Sequence, residues 1–206
     1  MSPQPSEIVV TLGHRHNTPG LLLLKKAYPS VRFYECRENP SFGKLRNMGI
    51  SKTKSEWTFF VSCDDTPEPD AIETFQRALE NNDGDYICAQ WYREGFYQGR
   101  YYSPLPIEMA DRMSRGKMAG FIIPHSPFRR EFWEMNPYKQ TDLPNYDFLK
   151  NCLLNGARFI KADKPTTIYK TREGSHSRTI LKRHNIKIQA RAEQNKLHNA
   201  IVGYYK

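Results

Sequence analysis

No apolar run in this 206-residue sequence is long enough to cross a bilayer: the longest aliphatic stretch, Leu21 to Leu24, stops at Lys25 and Lys26, against the roughly 20 residues a span needs. That excludes an integral membrane protein. Cysteine is scarce, and Cys36, Cys63, Cys88 and Cys152 are scattered without a CxxC pair. Such spacing argues against a disulfide framework and a structural zinc site, so buried reduced thiols are expected. Residues 1–7 carry Pro and Ser but neither a basic cluster nor a long apolar segment, and so lack the parts of a secretory signal. A cytoplasmic location is the expectation. No internal repeat is visible, which argues against a solenoid or propeller.

Acidic residues are the scarcer charge, 22 Asp and Glu against 31 Lys and Arg, for a net charge of +9. The excess is uneven. From Lys170 to Lys206 nine basic residues face only Glu173 and Glu193, a balance of +7 that leaves +2 for the other 169 residues. A face of that kind suits nucleic acid, anionic lipid or a phosphorylated substrate; a solvated basic helix without a partner is the alternative.

Hydrophobic residues make up 38% of the chain and aromatic residues 13%, enough to bury one core and exclude global disorder. Residues 1–178 read as one domain, with 179–206 a basic helical extension packed on it. Glu7 to Thr11 and Val31 to Cys36 read as strands on either side of a leucine-rich helix, Gly20 to Ala27. Lys44 to Lys52 reads as a short helix. Trp57 to Ser62 (WTFFVS) has the continuous apolar character of a central parallel strand buried on both faces.

Beyond it, Asp70 and Glu73 have capping-box spacing ahead of a helix built on Ala71, Phe75, Ala78 and Leu79. Asp85 to Arg93 is a strand, Glu94 to Lys117 a long functional loop or lid, and Gly120 to Ile123 another strand. Asp142 can cap a helix containing Tyr146, Leu149 and Leu153 and ended by Gly156, and Arg158 to Ala162 and Thr166 to Lys170 read as two further strands. Alternating strands and helices indicate an α/β sheet, which binds ligands beyond the carboxyl ends of its parallel strands. Asp64 and Asp65 lie at such an end, where carboxylates hold a hard divalent cation with a diphosphate, unless one caps the turn and the other is solvated.

The segments FGKLRNMGI (Phe42 to Ile50) and WTFFVSCDDTPEPDAIE (Trp57 to Glu73) occur in an order and spacing that resembles glycosyltransferase family 2. Tyr146 and Asp147, Gly156, Pro165, Tyr169 and the run REGSHS from Arg172 extend the likeness over roughly residues 7 to 178. The resemblance implies a single-domain, Rossmann-like GT-A fold, with a mixed, mainly parallel sheet flanked by helices. It also implies an inverting transferase that takes a nucleotide sugar, most readily a UDP-sugar, with Mn2+ or Mg2+ as cofactor.

Residue by residue, the resemblance puts Asp64 at the metal-binding carboxylate of the Asp-x-Asp motif, with Asp65 its neighbour and Ser62 where the family has the first aspartate. Arg46 and Asn47 match the family's Arg-Asn pair; Arg46 either neutralises diphosphate or forms an ion pair under the sheet. Thr11, His14 and Arg15 fall on the nucleotide-binding loop. The family's base-reading turn is missing, and Glu35, the only nearby carboxylate on the Val31 to Cys36 strand, is its candidate substitute.

The family's catalytic Glu-Asp pair is replaced by Pro144 and Asn145, leaving Asp142 and Asp147 as candidate bases. Asp142 is preferred, a helix N-cap being its other reading. His176 is a candidate for a metal or diphosphate contact, and Arg172 and Arg178 for closing the C-terminal loop over the donor. Arg178, Lys182, Arg183, Lys187 and Arg191 are the residues for the acceptor or a polyanion.

Three functions follow. One is sugar transfer to a hydroxymethylated base in DNA, for which Trp91, Tyr92, Phe96, Tyr97, Tyr101 and Tyr102 supply an aromatic wedge. Another is synthesis of surface or lipid-linked glycan at an anionic membrane surface. A third is an inactive GT-A fold that binds polyanions.

Overall fold

A computed structural model describes residues 3–13, 19–38, 40–95, 99–102, 105–114, 125–140, 144–171 and 184–205. Fifteen elements follow in order among them: β1 (Val9–Leu12), α1 (Pro19–Ala27), β2 (Arg32–Glu35), α2 (Phe42–Ser51), β3 (Trp57–Thr58), β4 (Thr66–Pro67), α3 (Ala71–Asn81), β5 (Tyr86–Gly95), β6 (Gly99–Tyr102), α4 (Pro106–Ser114), β7 (Phe128–Arg129), α5 (Arg130–Met135), α6 (Pro144–Leu154), β8 (Phe159–Thr171) and α7 (His184–Tyr204). The fold is mixed α/β. Parallel ladders join β1 to β2 and β5 to β8 and carry most of the paired positions; β3–β7, β5–β7, β5–β6 and β4–β8 are antiparallel. The larger sheet has the order β3-β7-β5-β8-β4, with β6 added to β5, and β1–β2 forms a separate pair.

The strand buried on both faces is β5 rather than the Trp57 run. Tyr86 and Cys88 join a cluster with Phe128, Phe148, Leu149, Leu153, Leu197 and Ile201, while Ile87 and Ala89 join Phe75, Ala78, Ile160 and Ala162 on the other side. That alternation is the period of two expected when helices cover both faces. In the Trp57 run only Trp57 and Thr58 enter a ladder, antiparallel to β7. Apolarity alone cannot separate the two runs. The difference lies in what stacks on each, and the Phe60 carbonyl accepts from the His125 ring instead of continuing a ladder.

Two other elements differ from the sequence reading. Glu94 to Lys117 is no plain loop: its described parts include the end of β5, the hairpin strand β6, and α4, whose Met109 is buried in the core. The two strands expected between Arg158 and Lys170 are one continuous strand, Phe159–Thr171, because a register shift opposite Gln90 absorbs Pro165 and lets the Gln90 carbonyl accept from Thr166 Oγ1 at 3.2 Å. The segment Gly120 to Ile123 lies outside the described residues.

Local side-chain and glycine signals close two helix ends, of which Gly156 was expected from sequence and Ser41 was not. The Ser41 hydroxyl accepts from the Lys44 amide at 3.2 Å and caps α2. Gly156 takes φ +77° after α6, with its amide on the Leu153 carbonyl at 3.1 Å and the Ala157 amide on the Cys152 carbonyl at 3.0 Å, a Schellman closure that favours glycine. At α3 the capping box does not form. The Asp70 carboxylate is taken by Lys164 instead, while Ala71, Thr74, Phe75 and Ala78 turn one face to the sheet. Burying Phe75 alone contributes about 2 kcal/mol.

Helix α7 packs on α6 and α4 through Leu197 and Ile201, and the Tyr204 hydroxyl donates to the Ala157 carbonyl at 2.9 Å. Among the described residues no helix is long and apolar enough to cross a membrane. Cys36, Cys88 and Cys152 are buried and outside any disulfide, with burial pushing Cys88 up to about 12; Cys63, expected to be buried like the rest, is exposed.

Candidate active site

β5 and β8 run parallel to their carboxyl ends at Gly95 and Thr171. The turn carrying Asp64 and Asp65 is tied to that end. Its closure is a hydrogen bond from the Asp65 amide to the Ser62 carbonyl at 3.0 Å. Asp65 Oδ1 accepts from the Lys170 amide on β8 at 3.0 Å, and Oδ2 lies 2.8 Å from His125 Nε2. The other ring nitrogen, Nδ1, donates to the Phe60 carbonyl at 2.9 Å. Both side chains of the Asp65–His125 pair are only 1% exposed. A carbonyl oxygen can only accept, so Nδ1 carries the proton that faces Phe60, and Nε2 shares the second hydrogen bond with the Asp65 carboxyl.

Asp64 is half-buried on that turn. Among the described residues no three His, Cys, Asp or Glu side chains converge to hold a metal. One carboxylate at a strand end still fits a cation that takes its remaining oxygens from a diphosphate and water, as Mg2+ does at phosphate sites.

Arg46 and Asn47 project from α2 toward the segment that joins α5 to α6. The Arg46 guanidinium lies 5.2 Å from the Tyr138 ring centroid and 5.5 Å from that of Phe60, and donates to Asn145 Oδ1. Burial lowers its pKa. Two rings and a side-chain amide surround it, in place of the ion pair weighed from sequence. Asn145, at a position where the family has a carboxylate, is thereby engaged. Asn47 holds the same segment: Oδ1 accepts from Trp133 Nε1 at 2.8 Å and the Tyr138 amide at 2.9 Å, and Nδ2 donates to the Tyr138 carbonyl at 2.8 Å.

Gly43, one turn earlier, explains the spacing of this motif. A Cβ there would sit 2.3 Å from the Lys139 carbonyl oxygen, closer than any real contact. Gly43→Ala is therefore expected to lower stability by about 1–3 kcal/mol in urea unfolding, and an unchanged midpoint would refute the packing argument.

The remaining residues are scattered. Thr11 and Glu35 are brought onto adjacent strands of the separate pair, where Glu35 binds Lys25 at 2.9 Å. Asp147 is buried on α6, with Lys150 Nζ 3.3 Å from its Oδ1. Lys187 and Arg191 fall on α7, without described side chains. His14, Arg15, Asp142, Arg172, His176, Arg178, Lys182 and Arg183 lie outside the described residues. His125 was missed from sequence: it is a lone histidine whose partner is 60 residues away, and no local pattern marks it.

Comparison with known proteins agrees with this architecture. Over 91 residues the chain is 29% identical to poly(ribitol-phosphate) beta-N-acetylglucosaminyltransferase TarP of Staphylococcus aureus (strain N315), covering 43% of this chain and 28% of TarP. The crystal structure of S. aureus TarS 1–349 in complex with UDP-GlcNAc superposes with a TM-score of 0.65 at 14% identity, covering 93% of this chain and 59% of that one. The UDP complex of TarS 1–349 gives 0.62 at 15% identity, covering 82% and 53%. The chain thus spans little more than a quarter of TarP and about three fifths of the TarS fragment. At these identities the TarS likeness establishes the GT-A fold. Residues 13–136, more than half of the chain, match the model of glycosyl transferase family 2, and the chain belongs to that family.

Proposed function

We propose that this protein transfers a sugar from a UDP-sugar, with UDP-N-acetylglucosamine the first donor to test, to a hydroxyl of a phosphate-bearing polymer, with inversion at the sugar carbon. The observation that carries this reading is the Asp64–Asp65 turn, anchored at the carboxyl ends of β5 and β8, where α/β sheets bind nucleotides. The likeness to TarP and to TarS bound to UDP-GlcNAc supports the donor class. The basic Lys170 to Lys206 segment supports a polyanionic acceptor. Reduced thiols fit a cytoplasmic site.

Asp64 would hold a divalent cation, Mn2+ or Mg2+, against the donor diphosphate. Such a cation, when bound, neutralises charge on the leaving group. Asp142 would take the proton from the acceptor hydroxyl as its oxygen bonds to the sugar carbon; the bond from that carbon to the diphosphate breaks, and UDP leaves. Arg172, His176 and Arg178 are proposed to cover the donor, and Lys182, Arg183, Lys187 and Arg191 to hold the acceptor's phosphates.

Calorimetry with UDP and manganese tests the donor site. Wild type is expected to bind more tightly with metal than in EDTA, and Asp64→Asn to lose at least about tenfold of that gain. Equal affinity in the variant would refute the assignment. The acceptor is tested with a poly(ribitol phosphate) polymer, hydroxymethylated duplex DNA and anionic vesicles across a salt series, with sugar incorporation as the readout. Incorporation into the polymer supports the proposal, and incorporation into DNA alone overturns its acceptor class in favour of base modification.

A further inference from the structure

We propose that His125 is a positioning residue for the donor's cation: it acts through Asp65 to fix where Asp64 presents its carboxylate. This rests on the reading of Asp64 as the cation ligand. The turn that carries Asp64 leaves the Trp57 run after Phe60 and ends at Asp65. One imidazole holds both sides of it, Nδ1 on the Phe60 carbonyl at 2.9 Å and Nε2 on Asp65 Oδ2 at 2.8 Å. The second oxygen of Asp65 is fixed to the Lys170 amide at 3.0 Å. Asp64 is therefore the half-buried residue between two points that cannot move independently.

Burial makes this clamp stiff. His125 is 0% exposed, so water cannot readily replace either bond, and losing one would leave a buried polar group unsatisfied. Both ring nitrogens are engaged by protein partners, so neither is left to ligate a metal or take a substrate proton. It is not itself a catalytic residue. Its contribution is geometric: Mg2+ takes oxygens only at about 2.0–2.1 Å, and misplacing a functional group by about 1 Å can cost roughly a hundredfold.

The test measures the metal-dependent gain in UDP affinity, the ratio of Kd in EDTA to Kd in manganese, in the full chain. The variants are His125→Gln, Asp65→Asn, the pair together, and Asp64→Asn as reference, each with a melting curve. His125→Gln is expected to reduce the gain about tenfold while the metal-free Kd for UDP stays within about twofold. Combined with Asp65→Asn it should lose no more than the weaker single variant, because the two act as one unit. A merely structural role would weaken metal-free and metal-bound binding together, and that outcome overturns the proposal.

Retention of the full gain in folded His125→Gln also overturns it. Should His125→Gln not fold, Asp65→Asn alone is judged by the same two affinities. If Asp64→Asn keeps the gain, the cation reading fails and the positioning role falls with it. Loss in Asp64→Asn with retention in His125→Gln removes the positioning role alone.

Discussion

Asp85→Ala is expected to lower stability by about 3 kcal/mol, a large part of the 5–15 kcal/mol typical of a domain. Asp85 Oδ1 accepts from Arg129 Nε at 3.0 Å and Arg158 Nη2 at 2.9 Å, and Oδ2 from Arg158 Nε at 2.8 Å and the Arg158 amide at 3.0 Å. One carboxylate thus joins the start of β5 to β7 and β8. A buried pair broken from one side costs about 3–5 kcal/mol. The lower end applies because Arg158 is half exposed and keeps Asp83. The melting temperature should fall by roughly 6 to 12 °C, and a fall under about 2 °C would refute the account.

The same site sets a pH dependence. The hydrogen bond from Arg158 holds the Asp85 carboxyl below the ordinary aspartate range. Below its unfolded pKa the unfolded chain then binds more protons than the folded one. This stabilisation is therefore present above that pKa and is lost as pH falls through the depressed folded value. Glu7 acts in the same direction: the Lys54 amide and the Ser55 hydroxyl hold it at about 2. Melting curves from pH 7 to pH 2 should show wild type losing stability below about pH 4, with a shallower loss in Asp85→Asn.

The second large effect is on turnover. Asp142→Asn is expected to lower kcat by roughly 100- to 10,000-fold with little change in donor affinity, as for a base needed only when the acceptor proton moves. Asp147→Asn should act differently. Its carboxylate is buried and ion-paired with Lys150 at 3.3 Å, so the expected loss is in melting temperature more than in kcat. Steady-state kinetics with a UDP-sugar, alongside melting curves, separate the two. If Asp147→Asn alone stops turnover while remaining folded, the base is Asp147; if neither slows it, both assignments fail.

The residues of the G-x-x-R-N helix from Gly43 to Asn47 were legible because they occur in the family's order, but what they do was not. Gly43 is there for the Lys139 carbonyl, and Asn47 for the Trp133 indole and the Tyr138 backbone. Those partners lie more than 80 residues away in the chain. The end of α6 at Gly156 was readable for the opposite reason, since its Schellman closure is made within six residues. Asp70 shows local preference overruled: a capping box was available, and Lys164, brought in on β8, took the carboxylate instead.

By itself the sequence determined the family, the alternation of elements, the amphipathic face of α3, the end of α6 at Gly156 and the basic bias of the last fifth of the chain. These follow from periodicity, spacing and charge, which act over a few residues or by composition. Only the tertiary structure decided that β5 is the strand buried on both faces, that Arg46 lies between Phe60 and Tyr138, and that His125 holds Asp65. Each depends on which distant segments stack together. A strand's burial is set by the helices laid on it, and a buried carboxylate's partner by whichever donor the fold brings within 3 Å.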